Sequence, residues 1–470
     1  MTTQETQSNQ GKGVGPSHGM RYVLVLVAIY LILATVHAFV TPIGFTGYQD
    51  APDEGAHISY VNSMHAGLMP DKTHPHAGTS SILPDYEWHQ PPLYYKAGSL
   101  FSGLSVDGFS VRFLSILAGI PCIILIYLIA LEIRPDSELT AVTAAGIAAL
   151  TPGHISILST VNNDGFLELF MCLCAYAMVR MITRGPDRNT GVLLGVSAAL
   201  AVLSKATGLI LLPAIFLSLL LAKRCGRNTR QLVQSGATCF VLFAVIAGWW
   251  FARNFSLYHE LIPLRVFRES FSGTAMAADV VSGKIHLGVS DWAGYWALVA
   301  GWCFRSFWAV YGTSASAAYG VPLFLPDTIY MLLALLCLGA SAGMGKLHFQ
   351  RLTLFDQPRR AALYVLFTVL ALTVGAYVKF ASEYFQTQGR YIYPAMAPVT
   401  IILAMGWVAL FPARYRKMAS AGFLGILALV ALIFALQTSN RGGLHPPVPQ
   451  SVQATAQVTL VTRSGVCFLG

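Results

Sequence analysis

The chain has 470 residues, 55% of them hydrophobic and only 11% charged, with a formal net charge of +9 and a mean hydropathy of +0.59. A soluble domain carries roughly 25% charged residues, so the composition excludes one and reads as an integral membrane protein. The basic residues are spread over short loops rather than gathered on one face, which points to the positive-inside bias and away from nucleic acid as a partner.

Residues 1–19, rich in Gln, Ser, Gly and Thr, read as a disordered cytoplasmic tail. The first apolar run, from Tyr22 to Val40, is too long for a signal-peptide core and lacks a small-residue cleavage site, so it is expected to stay as an anchor. Hydropathy predicts spans near 21–41, 110–131, 139–159, 164–183, 189–204, 206–222, 236–253, 325–343, 361–380, 391–411 and 418–437. With further interrupted runs at Pro92–Leu104 and Trp292–Ala309, the expected fold is an all-α bundle of about 11 transmembrane helices, with 11–13 as the range. Counting eleven spans with the N-terminus inside puts Arg134, Arg184, Arg188, Lys223, Arg224, Arg227, Arg230, Lys346, Arg351, Arg359, Arg360, Arg414, Arg416 and Lys417 on one side. A span at Pro92–Leu104 would flip these clusters outward. The segment therefore reads as an interfacial helix of the first outer loop, residues 42–109, and the second large outer loop covers 254–324. Residues 438–470 show no recognisable domain and fall outside the membrane core of residues 20–437. The eight cysteines lack metal-ligand spacing, and Cys122, Cys172, Cys174, Cys239 and Cys337 fall in apolar stretches, so neither a disulfide framework nor a zinc site is indicated.

The first outer loop opens with Tyr48-Gln-Asp-Ala-Pro-Asp-Glu-Gly-Ala-His57. Pro52 suits a first helical turn that Asp50 would cap, which would place Asp53 and Glu54 on that turn. Two readings stand side by side: capping carboxylates favoured by the helix dipole, or a general base whose pKa is raised by desolvation. His57, three residues after Glu54, would share its helix face and orient a carboxylate or a metal. His65, His74, His76 and His89 complete a histidine-rich loop, with His74-Pro-His76 shaped like a ligand pair but without a diagnostic carboxylate. Glu87-Trp88-His89-Gln90-Pro91-Pro92-Leu93-Tyr94-Tyr95 reads, taken alone, as an interfacial anchor. Asp164, after Asn162 and Asn163, is either a helix cap or a second carboxylate facing the cavity of Asp53. Lys205, Arg253 and Arg390 depart from the inside bias at the outer ends of spans. They would either snorkel or grip a lipid phosphate, with arginine giving bidentate contacts.

The order of these elements resembles the GT-C superfamily of polytopic glycosyltransferases, in the branch of the protein O-mannosyltransferases and the lipid A aminoarabinose transferases. The elements are Asp53-Glu54, the run Pro91 to Tyr95, Asp164, Ser204-Lys-x-x-Gly208, Trp249-Trp-x-x-Arg-Asn254 and Gly389-Arg-Tyr-Ile-Tyr-Pro394. The resemblance covers roughly residues 20–440, with two departures. Gln90 stands where many relatives carry lysine, and the large soluble C-terminal domain of some members is missing. The resemblance implies transfer of a sugar from a polyprenyl-phosphate donor to a lipid, glycan or protein acceptor, by inverting displacement. Asp53 would be the general base or a metal-holding carboxylate, Glu54 would orient it or share the metal, and Asp164 would be the second acid at the sugar. Arg390, with Arg253 or Lys205, would hold the donor phosphate. His57, His89, Gln90, Tyr94 and Tyr95 would position the acceptor or the loop. A divalent cation is left open, with Asp53, Glu54 and His57 as its ligands if any, and a bacterial inner membrane with an extracytoplasmic active face is the expected setting. The alternative is a polytopic transporter or flippase of a lipid-linked sugar, which would show an inverted repeat; none is found. A non-catalytic membrane scaffold gives no reason for acidic and basic groups gathered on one face.

Overall fold

The computed structural model describes residues 18–41, 51–75, 86–102, 108–270, 274–311, 324–349 and 355–439. Both expected terminal tails therefore lie outside the described residues, apart from the last helix ends, as do Tyr48, Asp50 and His76. Helices α1 to α4 are His18–Val40, Glu54–His65, Leu93–Gly98 and Phe109–Ile133. Next come α5 Glu138–Leu150, α6 Pro152–Leu158, α7 Asp164–Arg184, α8 Thr190–Ser204, α9 Leu211–Arg224 and α10 Thr229–Tyr258. The chain continues through α11 Leu264–Ser270, α12 Ala277–Val281, α13 Trp292–Trp308, α14 Asp327–Phe349, α15 Gln357–Glu383, α16 Met396–Leu410 and α17 Arg416–Ser439.

Nine helices among the described residues are long and apolar enough to cross a membrane, and the bent pair α5–α6 makes up to ten. Each of the eleven predicted runs falls on helical residues, that at 139–159 on the bent pair α5–α6, but α8 has only 15 residues, short of the about 20 that a span needs. The chain is an integral membrane protein with an all-α fold. Helix α5 sits at the centre, packed on α1, α4, α16 and α17. Its alanines 141, 144, 145, 148 and 149 are fully buried, because without lipid between helices small side chains let backbones approach. The crossing of α14 on α16 uses the same device: a Cβ on Gly343 would overlap the Gly406 carbonyl. Pro152 cannot continue α5, and the helix breaks there by 61° before α6.

Candidate active site

The loop before α4 is shaped differently from its sequence expectation. Helix α2 starts at Glu54, with Asp53 as the N-cap in the left-handed region (φ 63°) and no capping bond from its side chain. Asp53 is thus outside the helix, not on its first turn, and its oxygens are free for other partners. The expected interfacial helix from Pro92 is only α3, six residues long, and Tyr94 and Tyr95 are wholly buried in protein. They are packing residues, not a membrane anchor. The Tyr94 hydroxyl pairs with Ser115 Oγ at 2.7 Å and accepts from the Asn162 amide at 3.1 Å.

These changes separate the neighbouring carboxylates. Glu54 turns into the bundle, where Arg112 of α4 donates Nε to Oε1 at 2.8 Å and Nη2 to Oε2 at 2.5 Å. The Val161 amide also donates to Oε1 at 2.8 Å, and Arg112 Nη1 donates to the Ala38 and Thr41 carbonyls. Both Glu54 oxygens are engaged and the pair is fully buried. Glu54 is therefore neither an orienting partner of Asp53 nor placed to share a metal with it, a correction to the sequence expectation. Arg112 had no role in the sequence reading, since an arginine opening a span looks like an ordinary interfacial cation.

Asp53 turns the other way. Its carboxylate pairs with Arg390 and accepts from the Tyr86 hydroxyl at 2.9 Å. Asp164 pairs with Lys205 and lies 4.0 Å from Arg390 Nη1. Two carboxylates and two cations, separated by up to 337 positions in sequence, thus form one alternating cluster. Arg390 is 6% exposed, and its Nε and Asp164 Oδ2 are buried without a hydrogen-bond partner. Buried polar groups are nearly always satisfied, so the cluster is short of partners. Each element serves it. Asp164 opens α7, its amide taken by Asn162 Oδ1 at 2.8 Å, so it does not act as the cap. Lys205 is at the break after α8 and lies over the Tyr391 ring. Arg390 sits in a 3₁₀ turn, Gly389–Ala395, wedged against α13: the Gly389 amide donates to Ser306 Oγ at 2.7 Å, and a Cβ there would overlap the Phe307 backbone.

Among the described residues Arg253 is engaged away from this cluster. Its Nη2 donates to the Pro70 carbonyl at 2.9 Å and its guanidinium lies over Trp250, an anchor for the first loop. Gln90 Oε1 accepts from Asn163 Nδ2 at 3.3 Å, next to the cluster. His89 donates from Nδ1 to the Tyr86 carbonyl and packs edge-on against Phe267. His74 bonds locally to Asp71 and Thr73 at the surface, and His65 donates to the Ser99 carbonyl.

Glu87 is the residue that sequence reading passed over. One oxygen or nitrogen each from Asp53, His57 and Glu87 lies within 4.8 Å of the others. Glu87 Oε2 is buried without a hydrogen-bond partner, while His57 Nδ1 is 2.9 Å from the Tyr95 hydroxyl. Burial raises the Glu87 carboxyl, with His57 opposing and Asp53 adding to the rise. Burial lowers His57. Burial also pushes the Asp53 carboxyl up, but the charge of Arg390, with His57 and the Arg390 and Tyr86 hydrogen bonds, outweighs it and holds Asp53 at about 2. The only sequence signal for Glu87 was its place two residues before His89 in a Pro-stiffened stretch.

Several solved structures share this fold, and one family model matches part of the chain. Residues 89–250 match the family model described as dolichyl-phosphate-mannose-protein mannosyltransferase, the stretch that holds α3, Asp164 and Lys205. No curated protein matches. The fold is similar to the Archaeoglobus fulgidus oligosaccharyltransferase solved with Zn and sulfate (16% identity, TM-score 0.53, covering 90% of this chain and 54% of that one). It is similar to ArnT from Cupriavidus metallidurans bound to undecaprenyl phosphate (16%, TM-score 0.51, 95% and 73%). It is also similar to AglB from Archaeoglobus fulgidus with an inhibitory peptide and a dolichol-phosphate (16%, TM-score 0.51, 94% and 60%). The chain spans little more than half the length of the archaeal proteins.

Proposed function

We propose that the chain is a membrane glycosyltransferase that moves a sugar from a polyprenyl-phosphate donor to an acceptor at the extracytoplasmic face, in a bacterial inner membrane. The observation that carries this is the partner-poor cluster of Asp53, Arg390, Asp164 and Lys205. The polyprenyl phosphates bound to two structures of this fold favour a lipid-phosphate donor. The donor's phosphodiester takes Arg390 and Lys205 as counter-ions, and one negative charge becomes two as the anomeric carbon–oxygen bond breaks. Cations placed where charge develops lower that barrier. An acceptor hydroxyl or amine attacks the opposite face of the sugar, inverting it, and Asp53 takes the acceptor proton.

At about 2, Asp53 paired with Arg390 is too weak a base. A phosphate that draws Arg390 away removes the main lowering influence and leaves burial to raise the carboxyl. The base is thus switched on by the donor. Asp53, His57 and Glu87 also fit a hard divalent cation, since Glu87 brings a buried oxygen with no other partner. Such an ion would supply positive charge at the acceptor side of the site.

Purified protein in nanodiscs with a panel of radiolabelled polyprenyl-phosphate sugars tests the reading. Donor consumption by the wild type, and retained donor binding without turnover in Asp53→Asn, are expected. Equal turnover in Asp53→Asn, or no donor bound by the wild type, would overturn it.

A further inference from the structure

Below the charged cluster, within the bundle, lies a second group of polar side chains that the transfer reaction does not use. Cys122 stands near the middle of α4, beside Pro121 in the same helix. Cys172 and Glu168 stand one turn apart on α7, which packs on α4. One donor atom from each of the three residues lies within 4.8 Å of the others. All three are buried to 1% exposure or less. Glu168 Oε1 has no hydrogen-bond partner, although a carboxylate oxygen inside a bilayer is costly to leave bare. Its other oxygen, Oε2, is 2.7 Å from His154 Nε2.

The protonation of His154 follows from its other contact. Nδ1 is 2.9 Å from the Ala148 carbonyl, which can only accept, so Nδ1 carries a proton. One further proton lies between Nε2 and Glu168. The pair is neutral overall whether it is written as imidazolium and carboxylate or as imidazole and acid. We propose that Cys122, Cys172 and Glu168 form a binding site for one thiophilic metal ion, of the Zn²⁺ or Cd²⁺ class, with His154 as the outer support of Glu168. Two sulfur donors select a soft or borderline ion against Mg²⁺ or Ca²⁺. Ligating carboxylates are themselves held by hydrogen bonds, as Glu168 is by His154.

Charge balance supports the assignment in the low-dielectric interior. The divalent ion displaces the two thiol protons, and both leave as the metal–sulfur bonds form. Two thiolates, the Glu168 carboxylate, the His154 imidazolium and the metal then sum to zero, as did the thiols with the neutral pair. The exchange therefore adds no net charge to the membrane core, which is the usual objection to a metal there. Spacing in the sequence hides the site, since Cys122 and Cys172 are 50 positions apart on separate spans. The inference does not rest on the transferase reading.

The test uses the full chain expressed in cells grown with added zinc or cadmium, purified in detergent, with metal content measured by mass spectrometry. The wild type should hold about one equivalent, and cadmium-loaded protein should show a thiolate-to-cadmium charge-transfer band. The Cys122→Ala/Cys172→Ala variant should lose the metal and the band, while Cys174→Ala and Cys239→Ala keep both. His154→Gln should weaken affinity about 10- to 100-fold, the range for an outer-shell partner. Size-exclusion profiles establish that each variant is folded. If the double variant does not fold, Glu168→Gln, which keeps both thiols, takes its place and should lose at least half the bound metal. Wild-type metal content no higher than that of the variant used overturns the proposal.

Discussion

Asp53 and Glu54 are adjacent in the chain, and the two charge clusters they enter are built on opposite plans. Around Glu54 every oxygen and every guanidinium direction is used, exposure is nil, and three separate segments, α1, α4 and the turn before α7, are tied to the start of α2. Around Asp53 the pairs alternate in sign but leave Arg390 Nε and Asp164 Oδ2 without hydrogen-bond partners, and the Asp53 side chain is 32% exposed. A saturated buried ion pair braces a fold and has nothing left to offer a substrate. A cluster short of hydrogen-bond partners at an open edge keeps the capacity to bind something else, which is what the proposed donor site requires.

The sharpest way to break that contrast is to neutralise each acid in turn. Asp53→Asn should lower turnover by at least about 100-fold, the low end for loss of a general base, while thermal unfolding stays close to wild type. Glu54→Gln should do the reverse. Removing one partner of a buried pair costs about 3–5 kcal/mol, seen as a lower unfolding midpoint in detergent, while turnover per folded molecule changes little. If Glu54→Gln is stable but inactive, the division of labour between the two carboxylates is wrong. Lys205→Met should raise the donor KM about tenfold with a smaller effect on kcat. That corresponds to about 1.4 kcal/mol for one charged hydrogen bond, and donor titration separates the two constants.

A further expected effect concerns pH. Burial holds His89 below its usual 6.5, at about 4. Between those values the unfolded chain binds the proton and the folded one does not, so the stabilising contribution is complete above pH 6.5 and lost as pH falls toward 4. His89→Gln should flatten that decline in an unfolding series from pH 7 to 4. A wild-type curve that is already flat would contradict the burial argument.

Much of the fold was legible in the sequence, because apolar runs of about 20 residues report on the bilayer directly. The runs at 110–131, 164–183 and 391–411 reappear as α4, α7 and α16 with its 3₁₀ turn. Run length could not show that α5 and α6 form a bent pair at Pro152, whereas the short run at 189–204 already fell below the length of a span, as α8 does. The site was legible as a list of residues but not as a set of partners. Asp53, Asp164, Lys205 and Arg390 each stood out as charges at the outer ends of apolar runs. Which carboxylate meets which cation depends on backbone direction at a single position. Arg112 and His154 looked ordinary because their partners, Glu54 and Glu168, lie on other segments. Glu87 was hidden for the same reason.

The left-handed backbone at Asp53 decides how the residue can be interrogated. Asparagine and aspartate enter that conformation readily, whereas alanine and glutamate pay roughly 1 kcal/mol or more to do so. An alanine scan would therefore mix a backbone penalty, and a displaced start of α2, with the loss of the carboxylate. Glutamate, which keeps the charge, would carry the same penalty and look more damaging than its chemistry warrants. Only the amide removes the proton acceptor while leaving the main chain where it was, so conservation of charge is the wrong criterion for a mild substitution at this position.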